Sequence, residues 1–249
     1  MFKYLLILLF PAVAFGQYVP EDDINTDVAF EQPFYLSVRA GVSVPVEDYG
    51  RSSVSDSDPG FAQTGYYITG QFETYWKNGL GLFAGVRYNQ NPFNESDFGK
   101  AVLSVNPGFE LLSSQSDPIR DIMGEAGIAV RNRLSPDLFF VSSVGVGVFQ
   151  NTYPGQRVRL ENQQAEYIVQ SSESQASSEY WTAGFDLHYE MSKSVMLVLN
   201  TAYVSGNAEH EEVPQRTTEV ATGRQATTRY DIENKLRLFT GGVGIMFLF

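Results

Sequence analysis

Two histidines stand beside carboxylates in this sequence and are the first side chains to consider for chemistry. His188 has Asp186 and Glu190 two residues away on either side, and His210 lies in the acidic run 209–212. A carboxylate can orient an imidazole as a general base, provided that a nucleophile lies within hydrogen-bond reach. No sequence spacing supplies a serine to either histidine, and the chain has no cysteine. We therefore predict no catalytic residue, and we expect His210 to lie at a solvated loop tip.

The remaining candidate residues recur at alternate positions of apolar segments, which is the period of a β-strand. In 34–44 every even residue is apolar, and Arg39 lies among the odd ones. Seven further segments show the same alternation: 66–76, 80–88, 122–130, 138–148, 181–191, 195–203 and 239–249. The sequence thus predicts eight strands, each with one apolar face and one polar face.

The charges fall on the polar faces only. We predict that they form a polar network of ion pairs, with these members: Arg39, Glu73, Arg87, Glu125, Arg131, Asp186, His188 and Glu190. A water-soluble barrel would turn these charges to water, whereas a barrel in lipid turns its apolar face outward and encloses the charges. The alternation by itself is compatible with both arrangements.

The connections between the strands favour the membrane. Long connections at 45–65, 89–121, 149–180 and 204–236 alternate with short ones at 77–79, 131–137 and 192–194. Short periplasmic turns, long extracellular loops and an even strand count are typical of outer-membrane barrels. No proline falls inside a proposed strand. We therefore predict an all-β fold, an antiparallel eight-stranded up-and-down transmembrane barrel.

Aromatic residues mark both ends of the proposed strands. On the apolar faces they form two belts at the membrane interfaces, as such barrels require. The long-loop belt consists of Tyr66, Tyr88, Trp181 and Tyr203, and the short-turn belt of Phe34, Trp76, Tyr189 and Phe249. Within the long connections, alternation at 157–170 and 217–230 predicts β-ribbons that extend beyond the membrane.

The first residues have the pattern of an export signal. Lys3 precedes an apolar stretch, Pro11 interrupts it, and small residues at Ala14 and Gly16 fit a signal peptidase site before Gln17. We therefore divide the chain into a signal peptide at 1–16, an acidic periplasmic tail at 17–33 and the barrel at 34–249.

The final strand carries a more specific pattern. Val243, Ile245, Phe247 and Phe249 alternate to the last residue, as in the C-terminal insertion signal of outer-membrane barrels. With eight alternating strands, the mature chain resembles the small outer-membrane β-barrel family, which includes the transmembrane domain of OmpA and the opacity-type surface proteins. The resemblance implies residence in the outer membrane among its lipids, with the loops extracellular. It also implies insertion by the barrel-assembly machinery and periplasmic chaperones.

Three functions are compatible with this resemblance. We expect a structural or surface-interaction protein with a plugged lumen and no turnover, and any extracellular ligand would bind the four long loops. The alternatives are a narrow channel and a lipid-modifying enzyme. Enzymes of this architecture that modify lipid A use a histidine with a serine and a carboxylate, and the sequence lacks that spacing. A net charge of −12 argues against nucleic acid. The sequence predicts no cofactor and no metal site.

Overall fold

The computed structural model describes residues 34–51 and 60–249. The predicted signal peptide, the acidic tail and the middle of the first long connection lie outside the described residues. The described chain forms these elements in order: β1 (Phe34–Pro45), α1 (Glu47–Gly50), β2 (Gly65–Tyr75), β3 (Leu80–Asn91), α2 (Glu95–Val105), β4 (Glu110–Ser116), β5 (Ile119–Ser135), β6 (Leu138–Tyr153), β7 (Gln156–Glu161), β8 (Glu166–Ser171), β9 (Ser174–Ser192), β10 (Val195–Gly206), β11 (Ala208–Glu219), β12 (Gln225–Asn234) and β13 (Arg237–Leu248).

Eight of these strands close into a barrel. Their order around the barrel is β1, β2, β3, β5, β6, β9, β10 and β13, and β13 pairs with β1 to complete the ring. Each strand pairs with the next barrel strand along the chain, and every neighbouring pair is antiparallel. The predicted closed antiparallel eight-stranded barrel is confirmed. No helix among the described residues is long and apolar enough to cross a membrane.

The two faces of the barrel wall have opposite polarity. Apolar side chains point outward and are exposed, for example Val146, of which 69% is accessible. Charged side chains point inward and are buried, for example Arg39 and Glu73, which are 4% and 1% accessible. Of the two arrangements that are compatible with the alternation, the structure therefore has the one in which the charges are enclosed.

Side chains fill the barrel interior in three layers. At the short-turn end an apolar cluster includes Tyr35, Tyr75 and Met246. A second apolar cluster, with Tyr49 and Phe149 among its members, lies at the long-loop end. The charged residues lie between these two clusters. An eight-stranded barrel is only wide enough to be filled by its own side chains, and here they fill it.

The long connections form a second sheet beyond the barrel. We call it the cap sheet; its strand order is β12, β11, β8, β7 and β4. The β7–β8 and β11–β12 hairpins lie in the segments where alternation predicted ribbons, and Gly223 at the second turn has a positive φ of 69°. The sequence did not predict that these hairpins join β4 in one sheet. Helix α2, also not predicted, packs against β4 where Gly99 meets Leu111.

Candidate functional site

The centre of the lumen is a bridge between opposite barrel walls. Arg39 on β1 donates from Nη1 to Asp186 Oδ2 on β9 at 2.7 Å, and from Nη2 to Glu73 on β2. Tyr75 donates its hydroxyl to the other oxygen of Glu73 at 2.5 Å. A buried carboxylate is tolerated only when it is paired. Arg39 satisfies this requirement for both carboxylates.

A second ion pair lies between neighbouring strands. Arg87 Nη2 on β3 lies 3.4 Å from Glu125 Oε1 on β5, and Tyr180 donates its hydroxyl to Glu125 at 3.2 Å. The Arg87 guanidinium also lies over the ring of Tyr67, 5.6 Å from its centre. We call Arg39, Glu73, Asp186, Arg87 and Glu125 the lumen network.

Two predicted members of the polar network lie outside these ion pairs. Arg131 contacts no carboxylate among the described residues; it donates to the hydroxyl of Tyr35 at 2.8 Å and stacks on Phe139, 3.8 Å from the ring centre. Aromatic faces thus stabilise this guanidinium in place of an acid. Glu190 is half-buried at the short-turn end of β9 and forms no ion pair within the described chain.

His188 completes a group of potential metal ligands with Glu73 and Asp186. The ligand atoms of the three residues lie within 4.8 Å of one another, and His188 is fully buried with Nε2 3.6 Å from Asp186 Oδ2. Arg39, however, already bonds both carboxylates and supplies the positive charge between them. The two carboxylates are therefore paired by Arg39, whereas neither ring nitrogen of His188 has a hydrogen-bond partner among the described residues.

His210 is not at a solvated loop tip, so that expectation is wrong. It is 1% exposed, between the barrel and the cap sheet. Its Nε2 donates to Asn151 Oδ1 at 2.8 Å, and its Nδ1 accepts from Ser174 Oγ at 3.2 Å. Asn151 donates to Asp121 Oδ1 at 2.6 Å and accepts from Asn234 at 3.0 Å. We call these five residues the polar hub.

The hub places a serine beside a histidine, which the sequence spacing did not reveal. Burial lowers the pKa of His210 to about 4, and burial raises the pKa of Asp121 to about 7. An imidazole with so low a pKa is a weak proton acceptor at neutral pH. Its partner Asn151 is uncharged and supplies no negative charge to balance an imidazolium. The arrangement suits a structural junction better than it suits activation of Ser174.

Outside the barrel, aromatic side chains lie at both ends of the apolar band. At the long-loop end the rings of Tyr66 and Tyr88 are 6.3 Å apart, and those of Trp181 and Tyr203 are 5.4 Å apart. At the short-turn end the exposed aromatic residues are Phe34, Trp76, Tyr189 and Phe249. Three residues of the predicted insertion signal, Val243, Ile245 and Phe247, face outward from β13.

Comparisons with known proteins concern the barrel. No protein-family model matches the chain, and no curated protein matches it either. Among solved structures, Ail, the attachment invasion locus protein of Yersinia pestis, is 11% identical over 88% of this chain and 99% of its own, with a TM-score of 0.43. A major outer membrane protein from Thermus thermophilus is 11% identical over 87% of this chain and 99% of its own, with a TM-score of 0.49. OprG from Pseudomonas aeruginosa is 11% identical over 87% of this chain and 96% of its own, with a TM-score of 0.45.

The order of the strands and the opposite polarity of the two faces of the barrel wall define the fold of this chain. The closed ring of eight antiparallel strands, with an apolar outer face and a charged interior, is the architecture of the small outer-membrane barrels. The lumen network inside the barrel and the polar hub between the barrel and the cap sheet are two buried sets of polar residues that the structure brings together. Only the first could be located from the sequence.

Proposed function

We propose that this protein resides in the outer membrane and holds the cap sheet outside the cell as an interaction surface, without transport or turnover. One observation carries the proposal: side chains fill the barrel from end to end, while three long connections fold together into a single sheet. A filled barrel acts as a rigid support. Surface loops on a rigid support are where binding usually resides.

The outer surface of the barrel supports placement in a membrane. In water, a continuous band of exposed Val, Ile, Leu and Phe would be an aggregation surface. In a bilayer the same band meets hydrocarbon, and the aromatic residues at its two ends meet the interfaces. The predicted export signal supports delivery to that membrane. The short turns would then face the periplasm and the cap sheet would face outward.

The buried residues favour a plugged barrel over the two alternatives. A conducting path would have to pass both apolar clusters and break the bridge from Arg39 to Glu73 and Asp186. A lipid-modifying enzyme needs an activated nucleophile, whereas His210 is neutral and weakly basic. Conductance and lipid modification are therefore the outcomes that would contradict this function.

Single-cysteine labelling of intact cells tests the placement, since the chain has no native cysteine. We choose the exposed cap residue Ala221, the exposed short-turn residue Lys193 and the outward barrel residue Val146. A membrane-impermeant maleimide should label Ala221→Cys on intact cells and Lys193→Cys only after the outer membrane is broken. It should not label Val146→Cys in either case. Labelling of Val146→Cys by the aqueous reagent would contradict the membrane placement.

Planar bilayers test the plug directly. The purified wild-type chain should show no steady conductance, because two apolar clusters and the Arg39 bridge occupy the lumen among the described residues. Regular single-channel steps would favour the narrow channel. The variant Tyr75→Ala removes a large ring from the short-turn cluster only and should also stay closed, because the Arg39 bridge and the long-loop cluster remain.

A further inference from the structure

One imidazole in the lumen lacks the partner that its position requires. His188 on β9 is fully buried, and neither of its ring nitrogens has a hydrogen-bond partner within the described part of the chain. Its Nε2 lies 3.6 Å from Asp186 Oδ2, which is longer than a hydrogen bond. Buried polar groups are almost always bonded to the protein, to water or to an ion. The ring that faces the carboxylates of the lumen network therefore needs a partner besides the protein groups around it.

Three potential ligands meet here from opposite walls of the barrel. Glu73 lies on β2, and Asp186 and His188 lie on β9, which is four strands away around the ring in either direction. The ligand atoms of the three residues lie within 4.8 Å of one another. Ligands that bind one metal ion at about 2.0–2.2 Å lie about 3–4 Å apart. The separation of 3.6 Å between His188 Nε2 and Asp186 Oδ2 therefore fits one ion, and small side-chain rotations close the group around it.

The bonds of Arg39 leave lone pairs on both carboxylates. A carboxylate has about four acceptor sites on its two oxygens. On Asp186, Oδ2 accepts from Arg39. On Glu73, Oε1 accepts from Arg39 and Gln71, and Oε2 accepts from Tyr75. Each carboxylate can therefore bind a cation while the bridge of Arg39 stays in place.

The ligand atoms determine which kind of cation fits. Imidazole nitrogen is a preferred ligand of zinc and of the neighbouring transition metals, whereas calcium and magnesium take oxygen ligands. Zinc is commonly bound by histidine together with Asp or Glu, through three protein ligands and one open position. The two carboxylates of this group share the single guanidinium of Arg39, so a cation meets negative charge there.

We propose that Glu73, Asp186 and His188 bind a divalent transition-metal ion, such as zinc, inside the barrel. The ion gives Nε2 of His188 its partner and links β2 to β9 across the lumen, in addition to the bridge that Arg39 forms. Its role is to hold opposite walls together. The proposal departs from the sequence prediction of no metal site, because Glu73 meets the two ligands on β9 only when the barrel closes. It is independent of what the cap sheet binds.

The test measures zinc in the full chain, purified without a histidine tag and refolded from urea into detergent with zinc present. After dialysis against a weak chelator, wild type should retain about one zinc ion per chain, and His188→Gln should retain at least about tenfold less. The matched control His210→Gln removes the only other histidine and should retain zinc like wild type. Asp186→Asn tests a second ligand and should lose zinc as His188→Gln does. A mobility shift between boiled and unboiled samples verifies that each variant is folded.

Arg39→Leu gives a readout that a purely structural role of the three residues would not change. The substitution removes a positive charge next to the ion, so zinc should bind this variant at least about tenfold more tightly than it binds wild type. Zinc should therefore raise the urea midpoint of Arg39→Leu by more than it raises the midpoint of wild type. If Arg39→Leu does not fold, the comparison of His188→Gln with His210→Gln still decides the inference.

Three results would overturn the inference. They are the absence of retained zinc in wild type, equal retention of zinc by wild type and His188→Gln, and retention of calcium as strong as that of zinc. The first would leave water as the partner of His188. The second would place the ion elsewhere in the chain, and the third would show an acidic cluster in which the imidazole has no part.

Discussion

The lumen network and the polar hub are both buried, yet different forces hold them together. In the lumen, Arg39 and Arg87 carry permanent charges that are paired with carboxylates on a closed ladder of strands. In the hub, Asn151 joins Asp121 to His210 through hydrogen bonds. Burial raises the pKa of Asp121 and lowers the pKa of His210, so it favours the neutral form of both groups. The protein thus places fixed charges inside a single continuous sheet. It places titratable groups where two sheets meet.

Loss of the central arginine should have the largest effect of the changes considered. Arg39→Leu leaves Glu73 and Asp186 buried without their partner, and breaking a buried pair in this way costs about 3–5 kcal/mol. The free energy of unfolding, measured with urea in detergent or lipid, should fall by that amount. Arg133→Leu is the control, since Arg133 is exposed and donates only to backbone carbonyls; it should change little.

A triple variant sharpens this prediction. Arg39→Met/Glu73→Gln/Asp186→Asn removes all three charges, so no buried charge is left alone and most of the lost stability should return. If Arg39→Leu costs under about 1 kcal/mol, water must reach the lumen and solvate the carboxylates. The lumen would then not be sealed from water, and the contrast with the hub at the sheet boundary would be wrong.

Loss of the hub amide should have a smaller and more local effect. Asn151→Ala removes the acceptor for His210 and Asn234 and the donor for Asp121, and each buried group left unsatisfied costs about 1–3 kcal/mol. Amide hydrogen exchange should accelerate in β11 and β12, while the barrel strands keep their protection. The exposed neighbour Gln175→Ala serves as the control. Equal acceleration around the whole barrel would show that the hub and the lumen form one cooperative unit.

The barrel was predictable because two different environments act on its two faces. Arg39, Glu73 and Glu125 each stand on the polar face of an alternating segment, and closing the sheet brings that face inside. Which acid meets which arginine depends on the barrel radius and strand register, which alternation does not encode. For the same reason, the charge pattern did not indicate that Arg131 packs against aromatic rings and not against an acid.

The cap sheet was predictable only where its pairing is local. The β7–β8 hairpin joins Arg157 to Gln170 across a short turn, and alternation in that segment is sufficient to predict it. The pairs of Gln115 with Arg157 and of Gln170 with Arg216 connect separate loops. Loop closure governs such contacts, and the periodicity of a single segment carries no information about them.

One available signal was misinterpreted at His210. The acidic neighbours Glu209 and Glu211 suggested exposure of the whole run, but in a strand they point to the opposite face from His210. Ala208 and His210 are both buried, as alternation through 208–211 predicts. Helix α2 had a signal as well, since Asn94 caps it by accepting from the backbone N–H of Asp97.

The smallest expected effect is a pH dependence in which the two hub groups oppose each other. Burial raises the pKa of Asp121 from 3.8 to about 7, so the folded protein holds a proton that the unfolded chain releases, and stability falls as pH rises between these values. Burial lowers the pKa of His210 from 6.5 to about 4, so the unfolded chain takes up a proton as pH falls, and stability rises with pH in that window. In wild type the two contributions largely cancel.

Comparing each variant with wild type should isolate the contribution of the group that was removed. Relative to wild type, Asp121→Asn should gain stability as pH rises from about 4 to 7, and His210→Gln should lose stability as pH rises from about 4 to 6.5. Each change is measured as the shift in urea midpoint with pH. Because each variant is compared with wild type, the titration of other acids cancels. Slopes of the same sign in both variants would show that burial does not shift the two pKa values in opposite directions, and the difference between hub and lumen would then require another cause.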